Sequence, residues 1–153
     1  VSAQIRGGFV RFFSNHLGEM PIPNWPDAAK TEMAALSDKA HAAAKTRLTL
    51  QTALTRRIPD LCPPDRDPKL TTRLQEWWTL PDFAAFRAEV KKVFKADIPL
   101  AERSEWEDWI TRDRAEIARL SAEISKAEAE IDQIVYALFE LTPDEVALLE
   151  SVI

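Results

Sequence analysis

Residues 106–141, WEDWITRDRAEIARLSAEISKAEAEIDQIVYALFEL, decide the fold. Trp106, Ile110, Asp113, Ile117, Leu120, Ile124, Ala127, Ile131, Ile134, Leu138 and Leu141 recur at alternating spacings of four and three. With 3.6 residues per turn, that alternation lays one apolar seam along one side of an α-helix. Glu, Arg, Lys and Ser dominate the other faces, which predicts solvation everywhere except along the seam. Ser104-x-x-Glu107 has the spacing of a capping box and predicts the start of this helix. Thr142-Pro143-Asp144-Glu145 repeats the device, with proline in the first turn. A short last helix through Val146, Leu149 and Val152 should follow.

A seam of this length needs a partner, and residues 27–57 supply one. Met33, Leu36, Ala40, Ala43, Arg47, Leu50 and Leu54 follow the same alternation. Asn24 or Asp27 is the expected cap, Pro26 suits the first turn, and Ile58-Pro59 stops the helix. The alanines in the middle allow close approach. The two helices, roughly 31 and 37 residues long or about 45–55 Å at 1.5 Å per residue, call for an antiparallel hairpin. If Arg57 lies near Glu105, Arg47 falls opposite Asp113. Each is the one charged residue of its seam, so a cross-seam ion pair setting the register is expected. The alternative is that both sit at the seam's edge and reach water.

Between the long helices, the proline-rich stretch 59–68 reads as a loop. Asp67-Pro68 should open one short helix through Trp77-Trp78, and Pro81-Asp82 another through Phe83, Phe86, Val90 and Phe94. Ile98-Pro99 closes this lobe. Ahead of the first long helix, Gly7-Gly8 breaks the chain and Phe9–Phe13 is aromatic and β-branched enough for a short strand. Met20-Pro21-Ile22-Pro23 must be extended, because proline restricts both itself and the residue before it. The expected fold class is therefore all-α: a coiled-coil-like antiparallel hairpin with two short helices between the long ones and a short N-terminal extended segment. The units are 1–26, 27–58, 59–98 and 99–153.

Composition bounds the function. Hydrophobic residues make up 46% and charged residues 29%, as in a globular chain. No apolar run is long enough for a membrane span and no leader is visible, so a cytoplasmic protein without a membrane partner is expected. The start at Val1 suggests a piece of a longer protein. Cys62 is the only cysteine and His16 and His41 the only histidines, too few for a disulfide or a conventional zinc cluster. Charge is uneven. Residues 1–60 carry 8 Lys/Arg against 5 Asp/Glu, whereas residues 99–153 carry 5 against 14. A polyanion would be repelled by the last third and tolerated by the first.

No nucleophile motif, Gly-rich phosphate loop or metal-ligand spacing is present, and no catalytic residue is assigned. Cys62-Pro63-Pro64-Asp65 lacks the amide and the aromatic ring of an Asn-Pro-Pro-aromatic motif and reads as linker. Trp77-Trp78 and Trp106/Trp109 could stack on bases, but at helical spacing one ring of each pair should enter the core. Lys91-Lys92-Lys95 and Arg56-Arg57 could contact phosphates, although a solvated helix face is the commoner explanation for both. Arg6 and Arg11, which flank Gly7-Gly8, are the better candidates.

Arg6-Gly7-Gly8-Phe9-Val10-Arg11-Phe12, followed by Leu17 and Met20-Pro21-Ile22-Pro23, resembles part of a known module. So does the tail, Ile131-Asp132-Gln133-Ile134-Val135-Tyr136-Ala137-Leu138-Phe139 followed by Leu141-Thr142-Pro143-Asp144-Glu145-Val146-Ala147-Leu148-Leu149-Glu150. Both are similar to the C-terminal specificity region of adenine-specific DNA methyltransferases and their fused restriction–modification (Type IIG-like) relatives. One departure is Gly18-Glu19-Met20, where that family carries larger residues.

The resemblance implies a parent enzyme that moves a methyl group from S-adenosylmethionine to adenine in a specific DNA sequence, with or without a nuclease. The cofactor pocket and the Asn/Asp-Pro-Pro-aromatic motif would lie upstream, so this chain itself would hold no cofactor. Its partners would be the upstream methyltransferase domain and, through the parent, double-stranded DNA. Arg6, Arg11, Arg56 and Arg57 would be its DNA contacts; Pro21, Pro23, Arg47, Asp113, Thr142 and Glu145 would be structural. The alternative is a helical-hairpin module that mediates assembly and never touches DNA.

Overall fold

Two long helices pack antiparallel along their seams in a computed structural model that describes residues 23–151 and the backbone of residues 4–6 and 9–11. The first, α1, spans Asp27–Thr55; its partner, α4, spans Arg103–Leu138. The fold is all-α. Every buried residue of α4 (Trp106, Ile110, Asp113, Ile117, Leu120, Ile124 and Ala127) is a seam position. On α1 the buried residues are Ala43 and Leu54. Lys39 pairs with Glu123 at 3.7 Å, and Arg47 Nη1 donates to Ser121 Oγ at 3.0 Å. Arg57 stacks over Trp109, its guanidinium carbon 4.9 Å from the ring centre. Rising numbers on α1 meet falling numbers on α4, as an antiparallel pair requires.

The core is concentrated at one end. Trp77, Phe86, Phe94, Ile58, Leu74, Ile98, Ile110 and Val90 are the largest fully buried side chains, and all but Ile110 come from the segment between the long helices. That segment folds as a 3-10 turn at Ile58–Leu61, helix α2 (Thr72–Gln75), a second 3-10 turn at Trp77–Thr79, and helix α3 (Phe83–Phe94). Phe86 stacks on Trp106 with centroids 5.9 Å apart, joining α3 to the first turn of α4. Trp77 Nε1 donates to the Gln51 carbonyl at 3.2 Å, so the buried indole keeps its hydrogen bond while its ring fills the core. Each such ring or branched side chain contributes roughly 1.5–3 kcal/mol by leaving water, enough together to hold α2, α3 and the hairpin end as one lobe.

Two ionic clusters fasten the lobe's edge. Asp97 accepts a two-pronged pair from Arg87 (2.6 and 2.6 Å) and a contact from Arg103 at 3.2 Å, which ties α3 to the start of α4. Those hydrogen bonds from Arg87, aided by the nearby Arg103 charge, hold the Asp97 carboxyl down at about 2. Glu89 is buried, and Thr71, Lys92 and Arg73 meet its carboxylate at 3.3, 3.3 and 3.8 Å.

Helix boundaries depart from expectation in three places. Ser104-x-x-Glu107 makes no capping box: Pro99 turns the chain into a 3-10 turn at Leu100–Glu102 that runs straight into α4, so Ser104 already lies inside the helix. Asp67-Pro68 does not open a helix either. Thr71 caps α2 by accepting from the Leu74 amide, and the extended approach lets both Leu70 and Leu74 pack on the core. For α1, Pro26 itself stands at the cap position with no side-chain cap, and Asp27 is the first helical residue, paired with Lys30 at 3.1 Å. Asp82 does cap α3, accepting from the Ala85 amide at 2.7 Å. Helix α5 (Pro143–Glu150) opens with the full capping box: Thr142 Oγ1 accepts from the Glu145 amide, and Glu145 accepts from the Thr142 amide at 2.8 Å.

The expected Arg47–Asp113 ion pair is absent. Arg47 bonds Ser121, while Asp113 accepts from its own neighbour Arg112 at 2.8 Å. Near the lobe the partners lie one to two turns further along α4 than expected, Arg57 meeting Trp109 rather than Glu105 and Arg47 meeting Ser121, whereas Lys39–Glu123 fits the expected register. The cause is the lobe. Phe86 stacks on Trp106, so the first turn of α4 is shared between α3 and the end of α1, whose Leu54 joins the same core. Near the start of the chain, Phe9–Arg11 (β2) is a strand within the expected Phe9–Phe13 stretch, and it pairs antiparallel with Gln4–Arg6 (β1), which was not expected to be one. Pro21 lies outside the described residues, whereas Pro23 belongs to a non-helical lead into α1.

Candidate nucleic-acid interface

The junction just past the end of α1 carries two of the candidate contacts, Arg56 and Arg57. Arg56 is the residue on which the helix ends, and the 3-10 turn begins right after Arg57. Both are exposed. Their surroundings differ. Arg57 lies over the Trp109 ring, an attraction between its cation and the ring's negative face that draws it toward the hairpin. Arg56 lines a cavity of about 280 Å³ with Leu48, Gln51, Thr52, Thr55, Gln75 and Trp78.

Adjacent tryptophans explain how that cavity arises. Trp77 and Trp78 meet edge to face with centroids 5.9 Å apart, so when Trp77 turns inward Trp78 is left half-buried beside α1. Thr55 Oγ1 donates to the Gln51 carbonyl at 2.7 Å and Thr52 Oγ1 to the Leu48 carbonyl at 2.8 Å, so these hydroxyl protons are spent on the helix. What faces outward is a guanidinium, the Gln51 and Gln75 side chains, an indole and the exposed Leu48. A cation beside a flat aromatic surface suits a phosphate with an unstacked base next to it.

Several other cations around the lobe are engaged. Arg73 and Lys92 meet Glu89, and Arg87 and Arg103 meet Asp97. Lys91 is exposed, and Lys95 ends α3 in the left-handed region at φ 54°. On the solvent side of α4, Arg119 bridges Glu116 (2.8 Å) and Glu123 (3.0 Å); its hydrogen bonds hold the Glu116 carboxyl below its ordinary value. The backbone places Arg6 opposite Phe9 and Arg11 opposite Gln4. Among the described residues, no three His, Cys, Asp or Glu side chains converge as a metal site, and no helix is long and apolar enough to cross a membrane. His41 is exposed on α1, its Nδ1 2.8 Å from the Ser37 carbonyl; His16 lies outside the described residues.

The sequence placed one ring of each tryptophan pair in the core, and Trp77 and Trp106 are the buried ones. It did not find the cavity beside Arg56, because Gln75 and Trp78 arrive there from across the lobe. Nor did it find that Trp109 would occupy Arg57. Arg57 and Trp109 are far apart in sequence, and only the hairpin register brings them together.

Fold and site together define an all-α helical hairpin with a small lobe inserted at one end. Residues 26–135 match the family described as Domain of unknown function (DUF8810), and the chain belongs to that family. The match takes in α1, the lobe and most of α4. It stops short of most of the two end stretches on which the methyltransferase resemblance rests. No curated protein and no solved structure matches the chain.

Proposed function

We propose that this chain is the C-terminal DNA-recognition and bracing part of a site-specific adenine DNA methyltransferase or restriction–modification enzyme, working in the cytoplasm. One observation carries most of the weight. The antiparallel pairing of α1 with α4 returns the chain, after 29 residues of helix out and 36 back, to the end where it entered. Pro23, which leads into α1, and Thr142, which follows α4, therefore lie at the same end of the hairpin. The lead into α1 and the α4–α5 corner, in this reading, share one end of the hairpin, and the lobe stands at the other as an arm. In this reading the methyl donor S-adenosylmethionine binds the upstream methyltransferase domain, and the chain contributes position and backbone contact with double-stranded DNA. Arg56 beside the Trp78 cavity is the best-placed contact, with Arg6 and Arg11 at the other end of the chain.

A second reading, a hairpin that mediates assembly without touching DNA, draws on the engagement of Arg57 by Trp109, of Arg73 and Lys92 by Glu89, and of Arg87 and Arg103 by Asp97. Binding of duplex DNA to the chain, titrated against salt, separates the two. The first predicts binding that weakens with salt. Its slope should fall by about one for each phosphate no longer neutralised in Arg56→Ala or in Arg6→Ala/Arg11→Ala. No binding at low salt, with helicity intact, leaves the bracing role alone.

A further inference from the structure

We infer that α5 and the last turns of α4 form a docking surface for a basic protein surface with an apolar centre. This face lies away from the Arg56 cavity, and the inference stands whether or not the chain contacts DNA.

The apolar part is exposed and held in a defined shape. Leu148, Leu149 and Phe139 are 67%, 47% and 46% exposed, and no residue of α5 is buried. Tyr136, Ala137, Leu141, Pro143, Val146 and Ala147 line a cavity of about 470 Å³ between α4 and α5. The corner between the helices is fastened on both sides. Glu140 takes the left-handed conformation at φ 54°, so that the Leu141 amide reaches the Tyr136 carbonyl at 3.0 Å and the Glu140 amide reaches Ala137 at 3.2 Å. The Thr142–Glu145 capping box holds the other side. Apolar side chains kept in a fixed concave arrangement lose little freedom when a partner fills it.

Charge selects the partner. From Ala127 to the end of the chain there is no Lys, Arg or His, against seven carboxylates: Glu128, Glu130, Asp132, Glu140, Asp144, Glu145 and Glu150. Lys126, the last cation before this stretch, is paired with Glu130 at 3.8 Å, and Lys30, near the start of α1, with Asp27 at 3.1 Å. The field reaches the cavity itself. Burial, and then the charges of Asp132 and Glu150, push the Tyr136 phenol above its ordinary value. A nucleic acid would be repelled here, and a second copy of the chain would bring seven more carboxylates of the same sign. An apolar knob surrounded by Lys or Arg satisfies both features, since opposite charges steer the encounter and suppress wrong partners.

The test uses the whole chain with methyl labels and two synthetic amphipathic helical peptides of identical leucine pattern, one with lysine on its polar face and one with glutamate. The lysine peptide should shift the Val146, Leu149 and Leu141 methyl signals, and added salt should weaken its binding. Val146→Ser with Leu149→Ser should lower that affinity by roughly tenfold or more, given the apolar area removed. Because no residue of α5 is buried, helicity should not change. Asp144→Lys with Glu150→Lys should shift preference toward the glutamate peptide. The inference is overturned by equal affinity for the two peptides, by shifts that map away from α5, or by self-association through these methyls without peptide.

Discussion

Arg57 lies over the face of Trp109, guanidinium carbon to ring centre 4.9 Å, and this contact marks the level at which α1 and α4 meet beside the lobe. A cation held over an indole at a partly exposed site contributes about 0.5–1 kcal/mol. Arg57→Ala should therefore lower unfolding stability by about that much, read as a shift in urea midpoint with unchanged slope. Arg56→Ala, which removes no such contact, should leave the midpoint where it was.

The seam's two charges act independently. Arg47 bonds Ser121 and Asp113 bonds Arg112, so a double-mutant cycle of Arg47→Met with Asp113→Leu should show coupling below about 0.5 kcal/mol. Asp113 is 8% exposed and borders a cavity of about 540 Å³ lined by Leu50 and Arg112. Asp113→Leu should thus be neutral or stabilising, by about 1 kcal/mol, as when other buried ionic groups give way to apolar ones of similar size. A loss above about 2 kcal/mol would mean that the carboxylate has a structural role beyond its pair with Arg112.

Stability should fall off along the hairpin from the lobe toward the open end. Ile110 is 1% exposed in the main core, whereas Ile131 is only half-buried. Ile110→Ala should cost about 2–5 kcal/mol and Ile131→Ala about 1 kcal/mol. Amide exchange should be slowest around residues 106–120 and fastest in α5. Equal protection along α4 would contradict this gradient.

Acid should loosen the lobe through Asp97. Its carboxyl titrates at about 2 in the folded chain, held there by the Arg87 hydrogen bonds, against about 3.9 when unfolded. A folded value below the unfolded one means that the unfolded chain binds more protons between them. The stabilisation is thus complete above about pH 4 and is lost as pH falls toward about 2. Asp97→Asn should lower the melting temperature at pH 7 and narrow its gap from the parent chain near pH 2. A gap of constant size would rule out the charge as its cause.

The left-handed residues offer a stabilising change. Glu140 and Lys95 both sit at φ 54°, where a side chain costs about 1 kcal/mol and glycine does not. Glu140→Gly should raise the stability of the α4–α5 corner by roughly that amount, seen as slower exchange of the Leu141 amide.

How far the sequence could be read depended on whether an element's cause was local. The four-three alternation from Trp106 to Ala127 names the residues that are buried, because helical periodicity chooses a face without reference to anything outside the helix. Thr142 and Glu145, and Asp82, cap as their spacing says, since each cap closes within a few residues. Ser104 and Glu107 failed at the same task because Pro99 and the turn after it carried the helix start upstream. The candidate site divides along the same line. Arg56 and Arg57 were legible as neighbouring exposed cations, but not which of them an indole would hold.

By itself, then, the sequence determined two apolar seams, the all-α class, the proline-bounded lobe and the acid-rich tail, all consequences of short-range periodicity and composition. Tertiary structure alone decided the register. An apolar seam is nearly indifferent to sliding by one turn, since apolar residues meet apolar residues either way. Phe86 settled on Trp106, α1 was displaced to meet Trp109, and Arg47 and Asp113 were thereby separated.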